Sequence, residues 1–197
     1  MTVDNHYFLV SSLPLVRLGS APPFTPEAFD ALCRPHLTSA QAAGLEAVSL
    51  LPNGRPCCDA DRRWQAWETY LRNLLARARA ARAGEHPQEH LRHEDDVFPA
   101  VRRQVEDALT AANPAARERA LDELRWRRLD DCGAPPHQFD FDALVVYRLR
   151  LLLAARWAAP RPADGRERLD RLARRAVEQA RAARRVAQAE ADEGHPH

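Results

Sequence analysis

One run, from Asp59 or Asp61 to about Gly84, constrains this chain more than any other. Within it Trp64, Trp67, Leu71, Leu74, Leu75 and Ala78 recur at spacings of one, three and four, while Arg72, Arg77, Arg79 and Arg82 fall elsewhere. At 3.6 residues per turn this spacing gathers the apolar side chains into one stripe and turns the cations away from it. Such a helix has one face to bury, and other helices must supply the surface that covers it.

The remaining composition points the same way. Hydrophobic residues make up 45% of 197 positions, glycines number only 7, and long stretches consist of Ala, Leu, Arg and Glu. These residues lose little side-chain freedom in a helix. A chain of this length fits one domain, or two small lobes sharing a core, and can bury roughly 70% of its unfolded surface. The expected fold is mostly α: a helical bundle of about six to seven helices with a short extended N-terminal segment.

Local signals set the boundaries. Tyr7-Phe8-Leu9-Val10 reads as a strand or extended arm. Thr25 before Pro26 starts a short helix with Phe29, Leu32 and Cys33 on one face, and Pro35 ends it. Thr38 and Gln41 form a capping pair for a second short helix, which stops before the turn at Leu51-Pro52-Asn53-Gly54. Pro87 opens a further segment, and Pro99, lacking an N–H, should kink or divide it before Val101, Val105 and Leu109. Asn113-Pro114 starts a helix that turns Leu121, Leu124 and Leu129 inward and ends near Cys132-Gly133. The run from Phe141 to Trp157 is apolar on several sides and should be the central buried helix. A last helix is expected from Asp164 to about Ala189, with a stripe of small residues. The implied organisation is an N-terminal helical lobe over 1–132, a hinge near Pro135-Pro136, a helical pair over 137–190 packed on the lobe, and a disordered tail over 191–197.

Charge and cysteine usage narrow the function classes. With 29 basic against 28 acidic residues, nothing pulls the chain nonspecifically toward nucleic acid or anionic lipid. Every basic residue is Arg, a composition that GC-rich coding tends to produce and that also suits planar bidentate pairing with carboxylates; it excludes a Schiff-base or phosphate-loop lysine. Cys33, Cys57, Cys58 and Cys132 contain no C-x-x-C pair and follow no apolar signal segment, so a reduced, cytoplasmic setting is expected. The apolar runs fall short of the roughly 20 residues that cross a bilayer, leaving membrane association to partners.

Two clusters could carry chemistry. His86, His90 and His93 would share one face if they lay on one helix, close to Glu94, Asp95 and Asp96, which is a donor set suited to zinc or iron. The competing reading is a solvated polar turn after Gly84. His137 with Asp140 and Asp142 could supply an acid/base group, yet Asp140 sits at a helix N-cap position and Asp142 in the first turn, where the helix dipole favours carboxylates. There is no Gly-rich phosphate loop, no G-x-S-x-G and no nucleophile-base ordering, so no catalytic residue and no cofactor is expected. Trp64, Trp67, Tyr70, Trp126, Tyr147 and Trp157 fall at helical spacing, which suits a core; Trp with Arg also suits an interface anchor.

Several stretches together carry a resemblance. They are Tyr7-Phe8-Leu9-Val10-Ser11-Ser12-Leu13-Pro14, Trp67-Glu68-x-Tyr70-Leu71-Arg72-Asn73 and Asn113-Pro114. Leu121-Asp122-x-Leu124-Arg125-Trp126-x-x-Leu129-Asp130 and His137-x-Phe139-Asp140-Phe141-Asp142-x-Leu144, leading to Trp157, complete the set. Over about residues 6–175 the chain resembles a bacterial family of uncharacterised proteins encoded among the subunits of V-type (A/V-type) ATPases. The resemblance implies a non-enzymatic helical protein standing in for the socket subunit, which couples the rotor stalk to the membrane ring. It implies stalk or ring subunits as partners, and no nucleic acid. A full socket subunit has three similar helical lobes, so this shorter chain would form part of a socket or assist its assembly. The hallmark residues are Trp67, Tyr70, Arg72, Asn73, Arg125, Trp126, Asp130, His137, Asp140, Asp142 and Trp157. Arg72, Asn73, Arg125, Trp126, Asp130, His137, Asp140 and Asp142 are expected to form one buried polar network joining two helices across the Pro135-Pro136 hinge. The rival function, from a different class, is a metal-binding enzyme or sensor module built on His86, His90 and His93.

Overall fold

The computed structural model describes residues 6–94, 96–133 and 139–158, and the regular structure among them is entirely helical. In chain order the helices are α1 (Tyr7–Ser12), α2 (Pro26–Cys33), α3 (Ser39–Ala47), α4 (Asp59–Ala83), α5 (Pro99–Leu109), α6 (Pro114–Cys132) and α7 (Phe141–Trp157). Short 3-10 turns occupy Arg34–His36 and Pro87–His90. The mostly α bundle expected from the sequence is therefore present.

Most helix starts are fixed by the local caps. The Thr25 hydroxyl accepts from Ala28 N at 3.2 Å, with Pro26 in the first helical position. At α3 the Thr38 hydroxyl accepts from Gln41 N at 3.2 Å while Gln41 Oε1 accepts from Thr38 N at 3.0 Å, so two otherwise orphaned backbone donors are satisfied together. Asn113 caps α6 through Ala116 N at 2.8 Å. Helix α4 closes on Gly84, whose φ of 72° is left-handed backbone that suits glycine.

Helices α4, α6 and α7 pack on one another to form the centre. Helices α2 and α3 lie on α7, and α5 lies on α4 and α6. The fully buried side chains Trp64, Leu71, Leu129, Leu144, Leu149, Leu151 and Leu153 belong to that central trio. Helix α7 is buried on several sides, as its apolar run requires, and Tyr147 on it stacks on Phe29 with ring centroids 4.9 Å apart. By compactness the chain divides after Ala158, so α7 belongs with the helices before it. The hinge positions Pro135 and Pro136, the helix expected from Asp164 and the tail over 191–197 lie outside the described residues.

Three expectations are corrected. The run Tyr7–Val10 is helical, and the extended segment begins only at Leu13. A strand needs an edge to pair with, and the described residues supply none, so the backbone satisfies itself locally, with Val10 N donating to His6 O at 2.9 Å. Pro99 divides nothing: it opens α5, because the stretch after Pro87 is only one 3-10 turn followed by irregular chain. On α2, Leu32 is exposed and Asp30 is buried in its place, for a reason given below.

Gly44 marks the tightest backbone approach. A Cβ built there would stand 2.9 Å from Cys57 Cβ, so α3 and the segment leading into α4 are in contact only because residue 44 has no side chain. Gly44→Ala should cost about 1–3 kcal/mol by overpacking, read as a lower urea midpoint with unchanged helical circular dichroism.

Candidate functional site

The densest polar feature among the described residues is built from α4, α6 and the end of α7. Glu68 follows Trp67 on α4 and lies one helical turn from both Trp64 and Leu71, so the stripe that buries those residues buries its carboxylate as well. Its side chain has 0% exposure. A carboxylate so placed must be paired. Arg125 of α6 supplies the partner in a two-pronged fork: Nε donates to Glu68 Oε2 at 2.9 Å and Nη2 to Oε1 at 2.9 Å. The third nitrogen, Nη1, donates to Asp122 Oδ1 at 2.7 Å, one turn earlier on α6. Asp122 is also fully buried, and its Oδ2 accepts from Trp157 Nε1 at 2.7 Å, which secures the last residue of α7. At the rim, Arg72 Nε reaches Glu68 Oε1 at 2.9 Å, and Arg156 reaches Asp122 Oδ1 at 3.2 Å and Glu118 Oε2 at 3.3 Å. Burial works against the charge on Arg125. The hydrogen bonds and attraction of Glu68, then those of Asp122, overcome it and hold the guanidinium above its ordinary pKa.

A second clamp sits at the middle of α7. Arg148 Nε and Nη2 donate to Asp30 Oδ1 and Oδ2 at 2.8 and 2.9 Å, Nη2 also reaches Glu46 O at 3.1 Å, and Nη1 donates to Val48 O. One buried guanidinium thus joins α2, the end of α3 and α7, which is why Asp30 rather than Leu32 faces inward. Beside it, burial and then the charge of Asp30 push the Cys33 thiol up to about 12, and burial followed by Cys33 pushes Tyr147 to about 12.

Of the hallmark residues, the structure brings Arg72, Arg125 and Trp157 into the first network and distributes the others. Asn73 is buried and fastens the loop after α4: its Nδ2 donates to Arg92 O at 2.7 Å and Glu94 Oε1 at 2.8 Å, while Oδ1 accepts from Arg92 N at 3.0 Å. Trp67 stacks on Trp64 at 5.9 Å, and Tyr70 meets Phe98 edge-on at 5.6 Å. Trp126 lies under the Arg150 guanidinium at 5.8 Å, and Asp130 is an exposed partner of the same Arg150 at 2.6 Å. Asp140 caps α7 through Ala143 N at 3.3 Å. Asp142 accepts from Ala60 N at 3.0 Å and so caps the start of α4. His137 lies outside the described residues. Among the described residues these side chains fall into several networks, and the largest turns on Glu68 and Asp122, which sequence reasoning did not single out. A local signal for both existed: Glu68 stands four residues before Arg72, and Asp122 three before Arg125.

The three histidines do not share a helical face. Pro87–His90 is one 3-10 turn, His86 precedes it, His93 follows in irregular chain, and all three are exposed. Among the described residues no group of three or more His, Cys, Asp or Glu side chains is arranged to hold a metal ion. The Asn73 bonds to Arg92 explain the geometry, since they take the backbone groups that a continuing helix would use. Cys33, Cys57, Cys58 and Cys132 are free thiols, and no described helix is long and apolar enough to cross a membrane. No family model matches the chain, and no curated protein or solved structure matches it either.

Removing Arg125 takes the buried cation from two carboxylates and leaves Glu68 with Arg72 and Asp122 with Trp157 and Arg156, so Arg125→Ala should cost about 3–5 kcal/mol. Asn113→Ala removes the cap of α6 and should cost about 1 kcal/mol. Chemical denaturation of both variants checks the ordering; equal losses would remove Glu68 and Arg125 from the centre of the structure. A second expectation concerns alkali. Cys33 and Tyr147 ionise less readily folded than unfolded, so the unfolded chain sheds protons first and stability should fall as pH rises from about 9 toward 12. Melting midpoints across that range test it, with Cys33→Ala flattening part of the slope.

Proposed function

We propose that the protein is a non-enzymatic helical accessory of a bacterial V-type ATPase, a part or assembly partner of the socket between rotor stalk and membrane ring. The observation that carries this reading is the use of charge in the core. Glu68, Asp122 and Asp30 are each committed to arginine, and the two clamps join helices far apart in sequence. Side chains locked in forked ion pairs at the middle of α7 and beside its end suit a body that must hold its shape under load better than a site that must exchange protons. The sequence resemblance supplies the machine, and the stiff helical body suits the mechanical role.

A contact surface of suitable chemistry lies on α1. That helix buries none of its residues, Phe8 is 87% exposed, and Tyr7 packs against both Phe8 and Phe139 at 5.6 and 4.8 Å. Clustered aromatics are common anchors of protein interfaces. In this reading they dock on the stalk or ring, and the protein reaches the membrane only through those partners.

Tagged protein purified from its native host should bring down stalk and ring subunits in stoichiometric yield, identified by mass spectrometry. Phe8→Ala should reduce that yield with an unchanged melting midpoint. Recovery of the wild-type protein without any ATPase subunit would overturn the reading.

A further inference from the structure

The network around Glu68 turns its outer side to a cavity of about 340 Å3, walled by α4, α6, the loop carrying His90 and the end of α7. The volume lies at the lower end of the roughly 300–1,000 Å3 typical of small-molecule sites. Arg72, Arg79, Arg92, Arg125 and Arg156 line it together with His90, against the single carboxylate of Glu118. Even with Glu68 and Asp122 counted from behind the wall, five guanidinium groups face three carboxylates.

The donors are arranged as well as numerous. Arg72 spends its Nε on buried Glu68, which fixes the plane of the guanidinium and leaves both terminal nitrogens without an acceptor among the described residues. Arg79, two turns further along α4, makes no hydrogen bond or ion pair with the described residues. Arg156 holds its carboxylates at 3.2 and 3.3 Å, longer than the 2.7 Å bond that Arg125 makes to the same Asp122. Arg92 is the weakest contributor, since one of its nitrogens is turned to Pro52 O at 2.7 Å.

We propose that this cavity binds an oligophosphate, a ligand with at least two linked phosphoryl groups. Arginine forks match phosphate oxygens in pairs and remain charged at any physiological pH. Arg72 and Arg79 stand about 10 Å apart along the helix axis, a span that two linked phosphoryl groups bridge more readily than a single anion. Such a ligand displaces the long Arg156–Glu118 contact and leaves the buried Glu68–Arg125–Asp122 chain intact. The proposal does not depend on the function proposed above. Free inorganic oligophosphate and the phosphate tail of a nucleotide share this chemistry.

Isothermal titration of the full chain with sodium pyrophosphate at low salt tests it. Saturable binding at one site per chain is expected, weaker in high salt, and tighter than the binding of orthophosphate. Arg79→Gln should weaken it roughly tenfold, the scale of one charge-assisted hydrogen bond. The melting midpoint should not move, because Arg79 has no partner among the described residues to lose. Arg103→Gln removes the same charge from an exposed position on α5, outside the cavity, and should change nothing. Glu118→Gln should tighten binding. ADP distinguishes the sources: affinity above that of pyrophosphate assigns the site to a nucleotide, and equal or lower affinity assigns it to inorganic oligophosphate. Absence of saturable binding, orthophosphate bound as tightly as pyrophosphate, or equal losses in Arg79→Gln and Arg103→Gln would each overturn the proposal.

Discussion

The structure depends on the pairing of one buried carboxylate with one guanidinium. Glu68 sits on the apolar stripe of α4 with no access to solvent, and an unpaired charge there is incompatible with a folded core. The fork from Arg125 resolves the problem only at one relative placement of α4 and α6, since both nitrogens must meet both oxygens. Asp122 then extends the constraint to α7 through Trp157. Three helices are brought to one axial register by a short chain of polar groups, whereas their leucines would tolerate several registers.

Apolar packing supplies the bulk of the stability, and the ion pairs select among packings. A buried pair contributes little net energy against well-packed hydrophobic residues, because desolvation offsets the attraction. Its directional geometry is what leucine lacks. The two clamps hold α7 at separate points, one at its middle through Arg148 and α2, the other at its end through Trp157 and α6. The absence of lysine from the chain fits this design, since a forked partner needs the planar guanidinium.

How much of this was legible in the sequence follows from range. The helix starts at Pro26, Ser39, Pro114 and Phe141 were readable because each is set by a cap within three residues. The stripe of α4 was readable because its period is internal to one helix. Tyr7–Val10 was misread because a four-residue apolar run is equally suited to strand and helix until its neighbours are known. The histidine loop stayed open between a shared helical face and a solvated turn because its conformation is dictated by Asn73, which lies 19 residues before the Arg92 amide that it accepts from. For the central network, half the pattern was local, in Glu68 with Arg72 and Asp122 with Arg125. The decisive Glu68–Arg125 pairing spans 57 residues, and no spacing rule reaches that far. Asp30 and Arg148, 118 residues apart, were hidden for the same reason.

The bonds made by α7 also bear on the order in which the molecule can be completed during synthesis. Asp30 waits 118 residues for Arg148, the first turn of α4 waits 82 for the cap from Asp142, and Asp122 waits 35 for Trp157. A ribosome delivers the chain from its N-terminus. The stretch up to α6 can already join Glu68 to Arg125, yet it emerges with Asp30, the start of α4 and one oxygen of Asp122 still lacking these partners. The seventh helix closes all three gaps at once, so its arrival is the step that turns a loose helical intermediate into a finished body.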